Sequence, residues 1–310
     1  MGLDTPYKSH QAIWETHSSV RKKPRAIVFE EDCYYPIQKQ PLCIHPFMQK
    51  LGDQAVNYVL IQSAYRFMFN IARIETDIIN VAATKIANNA LHVKFPDEMC
   101  LDAYTIIVDE AYHAYVAFDF ILQMKTVTGI MPLVDENEKS ALCCAINHIA
   151  PTLEGKLKES FELIAVCMAE NSITHELAAL MKMENINKAF EAVTSDHLRD
   201  EGRHSSYFAK ILKYYWAQLD DAIKDKLVFI LPIFLEKYIA SDDEEKFSNK
   251  ILQSLFLSDA DINQILMDTY FPYGEGNLFQ VSPVAKNVLA LFEKCHLLDH
   301  PGMREVFSRS

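Results

Sequence analysis

The chain has little of what punctuates β architectures: 8 Gly and 12 Pro are spread over 310 positions, too few for many short strands joined by tight turns. What remains is long stretches of helical composition, so the expected fold class is all-α. Basic excess is also missing. A formal charge of −12 argues against nucleic acid or an anionic membrane surface as partner. No apolar run reaches the roughly 18 residues of a membrane span, and the start MGLDTPYKSHQAIWE carries no apolar signal core. Met-Gly begins a myristoylation-like match that fails at Pro6, where Ser or Thr is required. The seven cysteines include no C-x-x-C pair, and Cys143 and Cys144 are adjacent. Such a set reads as reduced core thiols, with a cytoplasmic location the expectation.

Half of the residues are apolar, ample for a core, and no linker, low-complexity segment or solenoid repeat divides the chain. The expectation is one domain over 1–310. Residues 1–45, with Pro6, Pro24, Pro36, Pro41 and the adjoining Pro46, read as an extended arm. Residues 46–217 read as a helical bundle, and 218–310 as additional C-terminal helices. From Asp53 to about Asn89 there is no Gly or Pro, and apolar residues recur every three or four positions, which fits one or two packed helices. Pro96-Asp97-Glu98 opens a further helix that runs to Gly129. DENEKSALCCAINHIA predicts a shorter helix halted at Pro151, followed by long helices over 152–183 and 185–217. Beyond these, helices fit near 221–239, 244–256 and 283–296, with the loop YFPYGEGN between the last two.

The stretch HLRDEGRHSSYF, residues 197–208, raises the functional question. On a helix turning about 100° per residue, His197, Glu201 and His204 project from one narrow face. Upstream, DEAYH supplies Glu110 and His113, preceded by Asp109 as Glu201 is by Asp200. Composition alone leads to about one Glu-x-x-His pair by chance, and the third pair, Glu293 and His296, lacks the preceding Asp and reads as coincidental. A carboxylate-bridged di-iron site in a four-helix bundle takes one Glu from each of two helices and Glu-x-x-His from each of the other two. Glu75, in RIETDIIN, and Glu170, in VCMAENSITHE, each precede a motif by one helix and a turn. Both sit in apolar helical surroundings, where a buried unpaired carboxylate is costly and a metal removes the cost. A carboxylate and imidazole set without thiolate suits iron, or manganese as a substitute, better than structural zinc.

With these motifs the sequence resembles the p-aminobenzoate N-oxygenases, ferritin-like di-iron enzymes that oxidise amines to hydroxylamino, nitroso or nitro products. The likeness covers about residues 14–210. It includes the arm WETHSSVRKKPR, the pair His45-Pro46, and a histidine four residues before the last Glu, where His197 stands. It implies that Glu75, Glu110, His113, Glu170, His197, Glu201 and His204 are all ligands of two iron ions, with O2 as cosubstrate. It further implies a small-molecule amine substrate, free or tethered to a carrier protein, an external electron donor, a homodimer and a place in secondary-metabolite biosynthesis. An aryl amine bearing a carboxylate is the type substrate, and His197, as a third nitrogen ligand, would alter the electronics of one iron.

Asp109 and Asp200 are candidates to accept the second ring N–H of the metal-bound histidines, each from the opposite motif. Arg199 and Arg203 read as side chains snorkelling to solvent, and Tyr104, Tyr112 and Tyr115 as core-type aromatics with no assigned role. His175 lies around the helix from Glu170 and is not expected to bind metal. Gly202 hints at space kept beside Glu201 for oxygen or substrate. The competing functions are a ferritin-like iron-oxidising or storage protein, a di-iron hydroxylase acting on carbon, a ribonucleotide reductase small subunit, and a helical interaction module without metal.

Overall fold

In a computed structural model the described residues are 7–21, 34–135, 138–184, 186–270 and 282–309, and among them there is no strand. The N-terminal region contributes short pieces: α1 (Gln11–His17), a 3-10 turn at Ser19–Arg21, α2 (Pro41–Ile44) and α3 (Pro46–Lys50). Where an extended arm was expected, part of it is therefore helical.

The Gly- and Pro-free stretch from Asp53 forms one helical run made of α4 (Asp53–Ile74), a π-helical turn over Glu75–Ile79 and α5 (Asn80–Ala87). A π turn inserts an extra residue into the local repeat and so turns the downstream faces relative to the upstream ones. Asn89, at φ 49°, closes the run; the N–H of Ala90 reaches back to the carbonyl of Lys85, a Schellman-type end. α6 (Asp97–Thr128) starts after Pro96 with two acidic residues in its first turn and stops at Gly129, φ 66°, a conformation that glycine adopts at least cost. α7 (Ala141–Ile149) is shorter than the pattern predicts because the Ser140 hydroxyl accepts from the N–H of Cys143 and sets its start. α8 (Gly155–Leu180) follows, then α9 (Lys188–Gln218), which Asn187 caps by accepting from the N–H groups of Ala189 and Phe190.

The run α4–α5 packs along α6, α8 packs along α9, and α6 meets α9. This is an all-α, ferritin-like four-helix bundle. α10 (Asp221–Ile239), α11 (Asp243–Ser254), α12 (Asp259–Tyr270), α13 (Pro283–Lys294) and α14 (Pro301–Arg309) surround it. The sequence pattern did not mark α12 and α14. Of the expected loop YFPYGEGN, Tyr270 ends α12 and the rest lies outside the described residues. α10 and α13 cover α8, whereas α11 and α12 pack with α2, α3 and the start of α4. Four of the six described cysteines are buried. No helix among the described residues is long and apolar enough to cross a membrane.

Two apolar cores fill the bundle. One contains Ile79, Ile86, Ile106, Phe161, Phe208 and Leu212; the other contains Tyr65, Met68, Phe120, Phe190 and Val193. Between them every bundle helix carries charge. Glu75, Glu110, His113, Glu170, His197, Glu201 and His204 are each at most 5% exposed.

The segment before α1 crosses α6 at Asp102. This buried carboxylate accepts from the Tyr7 hydroxyl at 2.5 Å, the Ser9 hydroxyl at 2.7 Å and the His10 N–H at 2.8 Å. Three donors satisfy a charge that burial would otherwise penalise. Asp102→Ala is expected to cost about 1–3 kcal/mol in urea unfolding and to speed proteolysis of the N-terminal segment.

Candidate metal centre

The seven buried side chains form two overlapping groups whose donor atoms lie within 4.8 Å of one another: Glu75, Glu110, His113, His197 and Glu201, and Glu110, Glu170, Glu201 and His204. Glu110 and Glu201 belong to both. That sharing follows from the chain: each comes from a Glu-x-x-His helix, α6 or α9, and those two helices face each other. His197 Nε2 lies 2.8 Å from Glu75 and 3.0 Å from Glu201. His113 Nδ1 lies 3.2 Å from Glu110 and 3.3 Å from Glu75. On the other side, His204 Nδ1 lies 2.7 Å from Glu110, 3.3 Å from Glu201 and 3.5 Å from Glu170. The groups differ in composition, since one has two imidazoles and the other has one.

Oxygens of Glu75, Glu110, Glu170 and Glu201, and Nδ1 of His204, are buried without a hydrogen-bond partner. His204 Nδ1 and the Glu110 oxygen are close, yet they are not aligned as donor and acceptor. Atoms crowded in this way around a common space, instead of pairing, suit coordination of a cation. Protons stand in for that cation in the electrostatics. Burial would lower His197, but the Glu75 carboxylate prevails and lifts it to about 9. His113 and His204 also rise well above the usual range against burial, His113 through hydrogen bonds to Asp200 and Glu110, His204 through the charges of Glu110 and Glu201. Burial opposes the drop of Glu75 to about 2, which His197 causes. Glu170 goes the other way, raised by burial and by the carboxylates of Glu201 and Glu110. Divalent metal bound here would displace the imidazole protons, so metal binding and proton release are linked. The donor set, oxygen and imidazole nitrogen, fits iron or manganese.

An outer ring holds the imidazoles. His113 Nε2 donates to Asp200 at 3.2 Å, and His204 Nε2 to Asp109 at 3.3 Å, so each aspartate serves the histidine of the opposite motif. Arg203 corrects the expectation of a solvent-directed side chain. It is buried and bonds both Asp109 and Asp200, the latter at 3.2 Å. Arg199 does reach the surface, where it pairs with Asp196. The arm completes the ring. Trp14 Nε1 donates to Asp109 at 2.9 Å and the Ser18 hydroxyl donates to the same oxygen, while the Ser19 hydroxyl and N–H donate to Asp200 at 2.5 and 3.1 Å. Sequence reasoning missed Trp14, Ser18, Ser19 and Arg203 as parts of the site. The spacing of Trp14, Ser18 and Ser19 relative to the motifs carries no signal, because the arm meets the bundle only in three dimensions.

The remaining candidates stand apart. His175 is exposed and bonds the carbonyl of Asn171, and His296 pairs with Asp299 on the surface. Tyr104 and Tyr115 are exposed rather than core. Gly202 overturns the expectation attached to it: it is exposed, and a Cβ there would meet nothing within 4 Å. It faces away from the cluster, one step around α9 from Glu201. A cavity of about 210 Å³ reaches Glu75, and another of about 150 Å³ reaches His113 and His197. A third, about 700 Å³, touches none of the seven residues.

Comparison with known proteins gives a match to the family model described as p-aminobenzoate N-oxygenase AurF over residues 15–247. A 4-aminobenzoate N-oxygenase from Streptomyces thioluteus is 26% identical over 136 residues, which is 44% of this chain. The chain spans about 40% of the length of that relative.

Iron(II) affinity is expected to strengthen as pH rises up to about 9, because below that value the metal must displace the proton held by His197. Anaerobic titration in weak buffer should show proton release on metal addition. Asp200→Asn should weaken iron binding about 10–100-fold in chelator competition. Gly202→Ala should stabilise the protein by about 0.5–1 kcal/mol in thermal or urea unfolding.

Proposed function

The chain belongs to the p-aminobenzoate N-oxygenase AurF family, and from that premise we propose that it is an O2-dependent amine N-oxygenase holding two non-haem iron ions. The observation that carries this reading is the pair of donor groups sharing Glu110 and Glu201. Glu75, His113 and His197 together with Glu110 and Glu201 would hold one ion, and Glu170 and His204 together with the same two glutamates would hold the other. Iron bound there supplies the redox change and dioxygen activation that side chains cannot. Manganese fits the same donors.

The protein's part is to hold this set still, keep it dry and admit the amine. Asp109 and Asp200 fix the ring orientation of His204 and His113, so their Nδ1 atoms face the cluster. The two apolar cores exclude water from it. His197 brings the third imidazole to one ion alone and distinguishes the two positions. In each oxygenation one oxygen atom of O2 enters the nitrogen and the other leaves as water. Two electrons and two protons must come from an external donor. A storage protein would have no use for His197, a substrate cavity or the arm-held outer ring.

The substrate is a small-molecule amine, free or carrier-bound, in secondary-metabolite biosynthesis within the cytoplasm. A homodimer is proposed on the apolar stripe of α6, where Leu101, Tyr104, Val108, Tyr115, Phe118 and Leu122 are exposed and share one face. Light scattering should give the dimer mass, with Tyr115→Glu/Phe118→Glu monomeric.

Reduced, iron-loaded protein given labelled O2 and an amine panel should yield products with label on nitrogen, detected by mass. Oxygen uptake indifferent to added amine would return the protein to the iron-oxidising class. His197→Ala that retains its iron should lose amine oxidation at least about tenfold; unchanged oxidation would remove the role given to His197.

A further inference from the structure

The cavity of about 210 Å³ that ends on Glu75 is walled by α4, α7, α8, α10 and α11, and its lining is aromatic and acidic. Glu176 of α8 is open to this space and makes no hydrogen bond or ion pair with any described residue. Glu176 is solvent-exposed where it lines this space, and the protein packed around it raises its carboxyl from the usual value, with the Lys39 charge opposing and the Glu244 charge adding to the rise. The cation in the lining is already committed: Arg66 bonds Glu244, lies 4.0 Å from Glu138 and sits 5.0 Å over the Phe247 ring. Lys39 is not part of the lining. Among the described residues Glu176 has no ion-pair partner, and Lys39 acts on it without forming a salt bridge.

Two phenols face the same space. Tyr35 and Tyr238 line the cavity without hydrogen-bond partners among the described residues, and both are held protonated by burial and by the Glu176 charge. The Asn70 amide, also in the lining, is likewise without a partner. A carboxylate, neutral hydroxyls and an amide, set among Tyr35, Phe67, Phe247 and Tyr238 rings, form a receptor for a cation with N–H donors. A carboxylated ligand would instead bring a second anion beside Glu176, and Arg66, the cation among the lining residues, is already paired with Glu244.

We propose that the substrate carries, apart from the reacting nitrogen, an ammonium or guanidinium group that Glu176 binds in this cavity. The proposal rests on the N-oxygenase reading and names its substrate class. The six residues from Glu170 to Glu176 rise about 9 Å along α8, so the two nitrogens are separated by a chain of several bonds. The cavity is smaller than the roughly 300–1,000 Å³ of drug-sized sites, which limits the ligand to a small diamine or guanidino-amine.

Calorimetry on the iron-loaded protein without O2, using agmatine, cadaverine, hexylamine and p-aminobenzoate, tests the site independently of turnover. Agmatine or cadaverine should bind at least about tenfold tighter than the other two, and less tightly as salt is raised. Glu176→Gln should cut the affinity ratio of agmatine to p-aminobenzoate at least about tenfold, with iron content at the wild-type level, and Glu176→Asp should retain part of it. Tighter binding of p-aminobenzoate, or an unchanged ratio in Glu176→Gln, overturns the proposal. Glu176-dependent binding of agmatine with no amine oxidised by the reduced enzyme in O2 would leave the cation site standing and overturn the N-oxygenase reading instead.

Discussion

Four carboxylates and three imidazoles lie between two hydrocarbon cores, and this burial of charge constrains everything around it. Ionised groups so placed are costly unless paired or bound to metal. Without a cation the cluster balances itself with protons, which is why His113, His197 and His204 are lifted while Glu75 and Glu201 are held low. A divalent ion accepts the same lone pairs without the mobility of a proton. The donor atoms are thus arranged for a charge the polypeptide does not contain.

Such a cluster has to be held from outside, since mutual repulsion among carboxylates would spread it. Asp109 and Asp200 pin two of the imidazoles, and Arg203 spans the pair of aspartates from within α9. The arm then closes the ring, with Trp14 and Ser18 donating to the remaining oxygen of Asp109 and Ser19 to the Asp200 oxygen that also meets His113. The N-terminal segment is in this way coupled to the cluster, although none of its described residues belongs to either donor group. Burial of the aspartates depends on that arm staying docked, and Asp102 is what docks it further along α6.

Asymmetry is the second theme. His197 gives one donor group an extra nitrogen, and the π turn that begins at Glu75 lies on the same side. The cavity bearing Glu176 also ends there. Extra ligand, backbone irregularity and access thus coincide at one half of the cluster, while Glu170 and His204 sit in the more regular half.

Much of this was legible in the chain itself. Sparse Gly and Pro and the three-and-four apolar rhythm point to helices, and capping residues such as Gly129 mark where they stop. Periodicity also puts His197, Glu201 and His204 on one face, because side-chain direction along a helix depends only on local repeat. The π turn was not legible, since it breaks the regular repeat that periodicity reads, and α12 and α14 also went unmarked. Arg203 was misread for a related reason: an arginine on a helix face looks solvated until its two aspartates are seen to be buried beside it. The amino-acid order by itself determined the fold class, the long bundle helices and which of their faces carry charge. Tertiary structure alone decided that Trp14, Ser18 and Ser19 reach the aspartates, that Glu110 and Glu201 are shared, and that Glu176 faces the cavity at Glu75. Those contacts join residues far apart in the chain, and no local repeat can encode a distance between separate helices.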